Sequence, residues 1–307
     1  MGDTGRDVTG IDETRGRLRE LVTPVERTDT VPLSVATGCV LATAIDACES
    51  GPADGIEAGE TLFPANHRLR STDIGLLKVA GIDDVLARQR PTVGIVPAGD
   101  ELVQRDASEN ERVETTAFTL TQHVDRWGGK VTYRNAVSKD THPLRAAIQR
   151  DLTRDALVVT GVEREGLVRD VITDLGTIHV GRVAADPGGT VAVATVEDRP
   201  VLLLPESPVD CLVAAVQLLR PLIAALAGSP LPAHPHHHAS MATAVESERG
   251  TRTFVPVALE DHVATPVGDG DPTLQNVTRA DGWVNVDEET TALDADESVG
   301  VTDWEQA

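Results

Sequence analysis

Two carboxylates beside a glycine, Gly99-Asp100-Glu101, follow a short apolar run that stops at Pro97. A carboxylate in such a place can hold a divalent cation, directly or through water, alongside phosphate oxygens. The run at residues 93–96, bounded by Pro and Gly, has the pattern of a buried strand. Ligands of open α/β sheets sit outside the carboxyl ends of the strands. Gly99, Asp100 and Glu101 therefore fall where such a domain keeps its site. The spacing alone is equally compatible with a turn glycine and two solvated carboxylates.

The elements that must position these residues can be read from periodicity. Ile11, Leu18, Leu21 and Val22 among Arg and Glu predict an amphipathic helix ended by Pro24. Residues 30–45 alternate loosely and predict extended chain; residues 46–60, rich in Gly, Asp and Glu, predict a loop. Ser71 or Thr72 can cap a helix over 73–79 that Gly81 closes. From residue 90 onward strands and helices alternate. Strands are predicted at 92–96, 131–133, 156–160, 177–183, 191–196 and 201–204. Helices are predicted at 114–127, 143–152, 167–175 and 208–227, the first of them with Phe118, Leu120, Val124 and Trp127 on one side and the last opening on a Pro. That alternation implies a mostly parallel sheet covered on both faces. The tract 228–240, GSPLPAHPHHHAS, predicts a linker. Its histidines His234, His236, His237 and His238 are too tightly spaced for a structural zinc pattern and have no Cys nearby. Beyond it, strands at 253–259, 283–286 and 298–304 separated by turns predict a small all-β module.

Composition narrows the classes. The chain has 307 residues, a net charge of -22 and only three lysines, Lys78, Lys130 and Lys139. So acidic and lysine-poor a chain, at 40% hydrophobic content still globular, fits a salt-rich cytoplasm. The charge speaks against nucleic acid and anionic membranes as partners. Cys39, Cys48 and Cys211 give no disulfide framework, and the N-terminus carries no apolar signal core, so a reducing cytoplasmic location is expected. Cys211, inside the last helix pattern, reads as packed rather than nucleophilic.

Several separate stretches, in order, resemble the molybdopterin molybdenumtransferases of the MoeA and gephyrin E-domain type. RPTVGIVPAGDELV, the segment ending in DALVVTG, and LLLPESPVDCLVAAVQLLRPLIAALAG are similar to that family's central domain. FVPVALE, LQNVTRADGWVNVDEE and ADESVGV are similar to its closing β-barrel, and HRLRSTDIGLLKVAGI to the segment before the central domain. The resemblance implies a three-layer α/β/α molybdopterin-binding-type domain at 91–228. It would be preceded by an N-terminal segment at 1–90, without the family's small inserted domain, and followed by a linker and C-terminal all-β barrel domain at 229–307. It implies insertion of molybdate into adenylated molybdopterin with a carboxylate-bound Mg²⁺, and dimers, either with itself or with a paralogue.

Carried over residue by residue, Glu101 matches the family's functional glutamate and would be the metal ligand, with Asp100 beside it. Gly99, Thr160, Gly161, Gly166, Arg182 and Ser207 would face molybdopterin. The departures are concentrated in the same loops. Val162 replaces the second glycine of the turn after residue 160, and Arg164 its serine. The family's aspartate falls on Arg169, with Asp170 one step away; Asp186 replaces a basic residue, and Glu206 a glycine. The segment carrying an MDGYA-like motif is replaced by the acidic loop at 46–60. Two unit charges about 4 Å apart interact by about 1 kcal/mol in water and about 4 at an effective dielectric of 20. Carboxylates at anion-facing positions therefore predict weakened phosphate binding. The expected function is molybdenum-cofactor biosynthesis with a degraded site. The alternative is a non-catalytic paralogue serving as partner subunit, carrier or regulator.

Overall fold

A computed structural model describes residues 8–47, 55–268 and 272–305. Residues 48–54 of the acidic loop, with Cys48, lie outside the described residues.

The N-terminal unit starts with strand Val8–Thr9 and helix α1 (Ile11–Glu20), whose Ile11, Thr14 and Leu18 are buried. Strand β1 (Thr28–Pro32) pairs antiparallel with β2 (Asp84–Arg88), and helix α2 (Ser71–Val79) packs against the single turn Leu33–Val35. Leu33, Leu41, Phe63, Leu69, Leu77 and Val85 form its small core. The extended reading of 30–45 is thus half right: the chain turns at Leu33 and re-forms a strand only at Ile45–Asp46. α1 leaves this unit and lies on the long last helix of the next domain, while Val8–Thr9 pairs with Arg182–Val183.

The α/β domain is a six-stranded sheet. Its strands are β3 (Thr92–Pro97), β4 (Lys130–Tyr133), β5 (Ala156–Val162), β6 (Gly176–Val180), β7 (Ala192–Val196) and β8 (Arg199–Pro205), in the order β6-β7-β8-β5-β3-β4. β8, β5, β3 and β4 run parallel; β7 is antiparallel to both of its neighbours. Period-two alternation sends Leu202 and Leu204 to one face and Val201 and Leu203 to the other. The first face is covered by α1, helix α3 (Thr116–Arg126) and helix α6 (Pro208–Ala227); the second by α4 (Thr141–Asp151) and α5 (Leu167–Leu175). This is the expected three-layer α/β/α arrangement.

Two local readings of the sequence need correction. Phe118 is 56% exposed, whereas Leu120, Val124 and Trp127 are buried. The buried three follow an i, i+4, i+7 stripe, and Phe118, two residues before Leu120, lies on the opposite side of the helix. The helix itself starts after Glu114, whose buried carboxylate accepts from the Ala117 and Phe118 amides (2.7 and 3.1 Å) and from the Tyr133 hydroxyl (2.6 Å). Burial and this carboxylate push the Tyr133 phenol up to about 12.

α6 is apolar and long enough to cross a membrane by length and composition, but 89% of its apolar window is buried inside the protein. Its middle, Ala215–Leu219, widens into a π turn just ahead of Pro221. Proline lacks the N–H that would bond the carbonyl four residues back and crowds that carbonyl. The freed Gln217 carbonyl accepts instead from Arg15 Nε of α1 (2.9 Å), which fastens the N-terminal helix to the domain.

The chain then closes in a barrel of five strands: β9 (His236–Met241), β10 (Arg252–Glu260), β11 (Val263–Pro266), β12 (Gly282–Val286) and β13 (Ser298–Thr302). The pairing β10-β11-β9-β13-β12 returns from β12 to β10, so no edge is left open among the five. A short helix, α7 (Leu274–Arg279), crosses one side. The linker reading of 228–240 is corrected here, because His236, His237 and His238 are in β9 and pair with Thr302, Val301 and Gly300. The buried Ala239 and Met241 supply the alternating inward positions that the histidine run obscured. Trp283 and Trp304 stack with ring centres 5.0 Å apart at the barrel's junction with α3, and both are buried.

Candidate functional site

The carboxyl ends of β3, β5 and β8 come together at one edge of the sheet. Ala98 N donates to Thr160 O (3.0 Å), which extends the β3–β5 ladder past Pro97. Gly161 adopts φ +81°, and a Cβ there would lie 2.0 Å from the Ala98 carbonyl oxygen. Only glycine allows these two strand ends to approach so closely. β5 runs two residues further than its periodicity indicates: Val162 is buried and paired with Pro205 of β8. Val162, expected at a turn glycine, is therefore a core side chain of the strand.

Gly99, Asp100 and Glu101 lie beyond β3, Thr160 and Gly161 at the end of β5, Gly166 at the start of α5 with φ +150°, and Ser207 at the start of α6. Arg182 pairs through its backbone with Val8 and lies close enough to Arg169 for the two guanidinium charges to repel. Asp100 is drawn into the backbone, with one oxygen accepting from Lys139 N (3.1 Å). It holds the loop that delivers Lys139.

Lys139 and Arg112, neither of them singled out by the sequence, determine the electrostatics. Lys139 Nζ donates to Glu163 Oε1 at 2.7 Å and lies 3.5 Å from Glu206 Oε2. Arg112 Nη2 donates to Glu206 Oε1 (2.9 Å) and to Glu101 Oε1 (3.3 Å). Partial burial works against the Lys139 ammonium, but the Glu163 hydrogen bond and the charges of Glu206, Glu163 and Glu101 outweigh it and hold its pKa above the usual lysine range. The glutamates expected to repel an anion are thus already neutralised in part by two cations. The rarity of lysine in this chain was the signal that could have drawn attention to Lys139.

Arg169, expected from the resemblance at an aspartate position, is a clamp. Its guanidinium donates to the carbonyls of Glu163 (3.0 Å), Gly181 (2.8 Å) and Thr190 (2.8 Å), tying three loops together. Burial, then the Arg182 charge, lowers its pKa. Asp210, in the first turn of α6, accepts from Gly188 N (2.8 Å) and fixes a fourth loop. Between these groups lies a cavity of about 100 Å³ lined by Lys139, Gly161, Glu163, Gly166 and Arg169. The Glu163 carboxylate leans over the start of α5, its Oε2 3.4 Å from the point a Cβ on Gly166 would take. A helix N-terminus attracts anions through its free N–H groups, and here the chain's own carboxylate stands close to that position.

Among the described residues no three His, Cys, Asp or Glu side chains gather as a metal-binding group. Glu101 is the one predicted ligand that is partly exposed at the strand edge. Cys211 is fully buried, and burial raises its thiol pKa well above the usual range, which agrees with a packing role. His234, in the tract read as a linker, is half-buried, with Nε2 accepting from Arg220 Nη1 at 3.0 Å.

A three-layer α/β/α domain with its polar loops at the carboxyl ends of the parallel strands, followed by a closed five-stranded barrel, defines the class of protein. The family description "Probable molybdopterin binding domain" matches residues 94–225, and "MoeA C-terminal region (domain IV)" matches residues 238–304. The chain belongs to the MoeA family. A molybdopterin molybdenumtransferase 1 of Mycobacterium tuberculosis is 28% identical over 178 residues, which covers 55% of this chain and 42% of that protein. A putative molybdopterin biosynthesis protein of Methanocaldococcus jannaschii is 22% identical over 262 residues, covering 81% and 64%. The chain thus spans less than half the length of the first of these curated relatives. Two structures of a molybdopterin biosynthesis MoeA protein from Pyrococcus horikoshii superpose with TM-scores of 0.83 and 0.82 at 20% and 16% identity. The superpositions cover 97% and 96% of this chain and 99% and 100% of theirs, and they establish the shared fold.

Proposed function

We propose that the chain works in molybdenum-cofactor biosynthesis at the step that handles adenylated molybdopterin and molybdate, with a strand-end site neutralised from within. The observation that carries this reading is the pairing of Lys139 with Glu163 and of Arg112 with Glu206 and Glu101. A phosphate arriving at the cavity meets cations whose charge is already engaged and carboxylates that repel it. Each 1.4 kcal/mol lost is about tenfold in affinity, so pterin phosphate binds here weakly and better in concentrated salt, which screens the glutamates.

Mg²⁺ belongs to this proposal through Glu101 alone. Mg²⁺ commonly takes one or two carboxylates and completes its shell with water and substrate phosphate oxygens, so a single glutamate at the strand edge fits a site that the substrate completes. When bound, the ion would neutralise phosphate charge. What the chain itself does is orient Glu101 through Arg112, exclude bulk from the turn at Gly161, and hold the loops through Arg169.

Self-neutralisation favours a chain that acts either as a homodimer with low turnover or in a heterodimer with a paralogue whose site is fully equipped. Incubation of purified protein with adenylated molybdopterin, Mg²⁺ and molybdate in high salt is the test, with a family member as positive control. The expected result is little or no active cofactor from the wild type and a gain on Glu163→Gln plus Glu206→Gln. Turnover equal to the control would refute the neutralised site. Failure to associate with either a second copy or a family member would refute the partner role.

A further inference from the structure

A second cavity, of about 310 Å³, opens at the opposite end of the parallel strands, where the N-terminal unit meets the α/β domain. Pro91, immediately before β3, forms part of its wall. At about 3.3 Å per strand residue, the length of β3 puts it about 20 Å from Glu101. Arg68, Arg88 and Arg90 line it, with Asp125 as the only carboxylate in the lining. Three positive charges against one negative is an unusual local excess in a chain of net charge -22.

The three arginines are not equally engaged. Arg90 closes the end of α3, donating to the Asp125 carboxylate (2.7 Å) and to the Asp125 and Gly128 carbonyls (3.2 and 3.3 Å). Arg88 donates to Val25 O (2.9 Å) and Asn66 Oδ1 (3.2 Å). Arg68 makes no hydrogen bond or ion pair among the described residues. Its guanidinium lies over Gly128, with Nη2 3.4 Å from where a Cβ on that residue would be. Arg68 also adds its charge against the buried Arg220. Holding an unpaired guanidinium beside other cations is unfavourable unless an anion is received there.

The remaining wall is mixed: Val35, Val40 and Trp127 give it an apolar side, Thr37, Gln89 and Ser229 add polar groups, and Cys39 lies within it. The volume corresponds to about ten waters at about 30 Å³ each, more than a bare tetrahedral anion fills. We propose that this cavity binds a small organic phosphate monoester. Its dianionic head is held by Arg68 with Arg88, and its body rests against Val35, Val40 and Trp127. Paired guanidinium N–H groups match phosphate oxygens in charge and geometry.

The test is calorimetric titration of the full chain, in constant high salt, with phenyl phosphate and separately with inorganic phosphate. Phenyl phosphate is expected to bind one to one and about tenfold or more tighter than inorganic phosphate. Arg68→Gln is expected to weaken it by about tenfold or more. Val35→Asp, on a side chain 66% exposed at the rim, is expected to do the same without disturbing the core. Lys139→Met, at the other pole, is expected to leave it unchanged, and saturation is expected to slow alkylation of Cys39 by iodoacetamide. Circular dichroism checks that each variant is folded. Absence of saturable binding, equal affinity for the two phosphates, full affinity in either Arg68→Gln or Val35→Asp, or loss in Lys139→Met would overturn the proposal.

Discussion

Replacing Arg169 separates a clamp from a ligand-binding residue. Its guanidinium makes three hydrogen bonds to backbone carbonyls, those of Glu163, Gly181 and Thr190, at 2.8 to 3.0 Å. A hydrogen bond involving a charged group contributes about 1.5–3 kcal/mol net, so three would give at least about 4. Against this stand the desolvation of a half-buried guanidinium and its repulsion with Arg182. Arg169→Met keeps the length and apolar stem of the side chain but none of its donors, and is expected to lose about 3 kcal/mol. For a domain of this size each kcal/mol lowers the melting midpoint by about 2–4 °C, so the expected drop is about 6–12 °C. Arg169→Lys keeps one charge and can satisfy one of three divergent carbonyls, so it should recover roughly a third of the loss. Thermal melts followed by near- and far-UV circular dichroism, in one fixed buffer in which the wild type is folded, measure both. A midpoint for Arg169→Met within about 2 °C of wild type would show that the three carbonyls do not need this side chain and that the clamp reading is wrong.

Two further outcomes follow from the same geometry. Gly161→Ala would place a methyl 2.0 Å from a backbone oxygen at φ +81° and should destabilise by several kcal/mol, on the order of the largest single-residue effects; a melt unchanged from wild type would contradict the close approach of the β3 and β5 ends. His234 has its pKa pushed down to about 4, by burial first and then by the Arg220 charge. The unfolded chain therefore takes up its proton near pH 6.5 while the folded chain does not. The histidine's contribution is fully present above about pH 6.5 and is lost progressively as pH falls toward 4. Denaturant midpoints measured from pH 7.5 to 4.5 should fall more steeply for wild type than for His234→Gln, and parallel curves would count against a buried neutral histidine.

The framework was legible because it rests on burial patterns. β3, β5 and β8 are apolar runs closed by Pro or Gly, and α6 opens on Pro208. The barrel strands around Phe254 and Trp283 follow the period-two rule that fixes which side chains face inward. Phe118 was misplaced because apolar character was counted ahead of its angular position on α3. β9 was missed because three exposed histidines masked an alternation confined to Ala239 and Met241. The π turn before Pro221 depends on a partner, Arg15, more than 200 residues away in sequence. The position of Glu101 was legible as a strand end. Its electrostatics were not, because Arg112 and Lys139 reach it from separate loops after β3 and β4, and no spacing within one segment encodes that convergence.

That convergence changes how the acidic residues of these loops act. Glu163 and Glu206 each stand near a place where a phosphate could approach, and considered singly each would only repel it. In the folded chain they share Lys139, and Glu206 shares Arg112 with Glu101. The five side chains therefore form one network with a net charge of about -1, from three carboxylates and two cations, rather than three isolated negative charges. Neutralising Glu163 alone would release Lys139 toward the cavity but leave Arg112 with Glu206 and Glu101. Neutralising Glu206 alone would shift both cations toward their other partners. Coupling of this kind makes single substitutions poor reporters, because contacting charges do not act additively. The Glu163→Gln and Glu206→Gln pair should raise phosphate affinity by more than the product of the two single effects, since only the double change frees Lys139 completely.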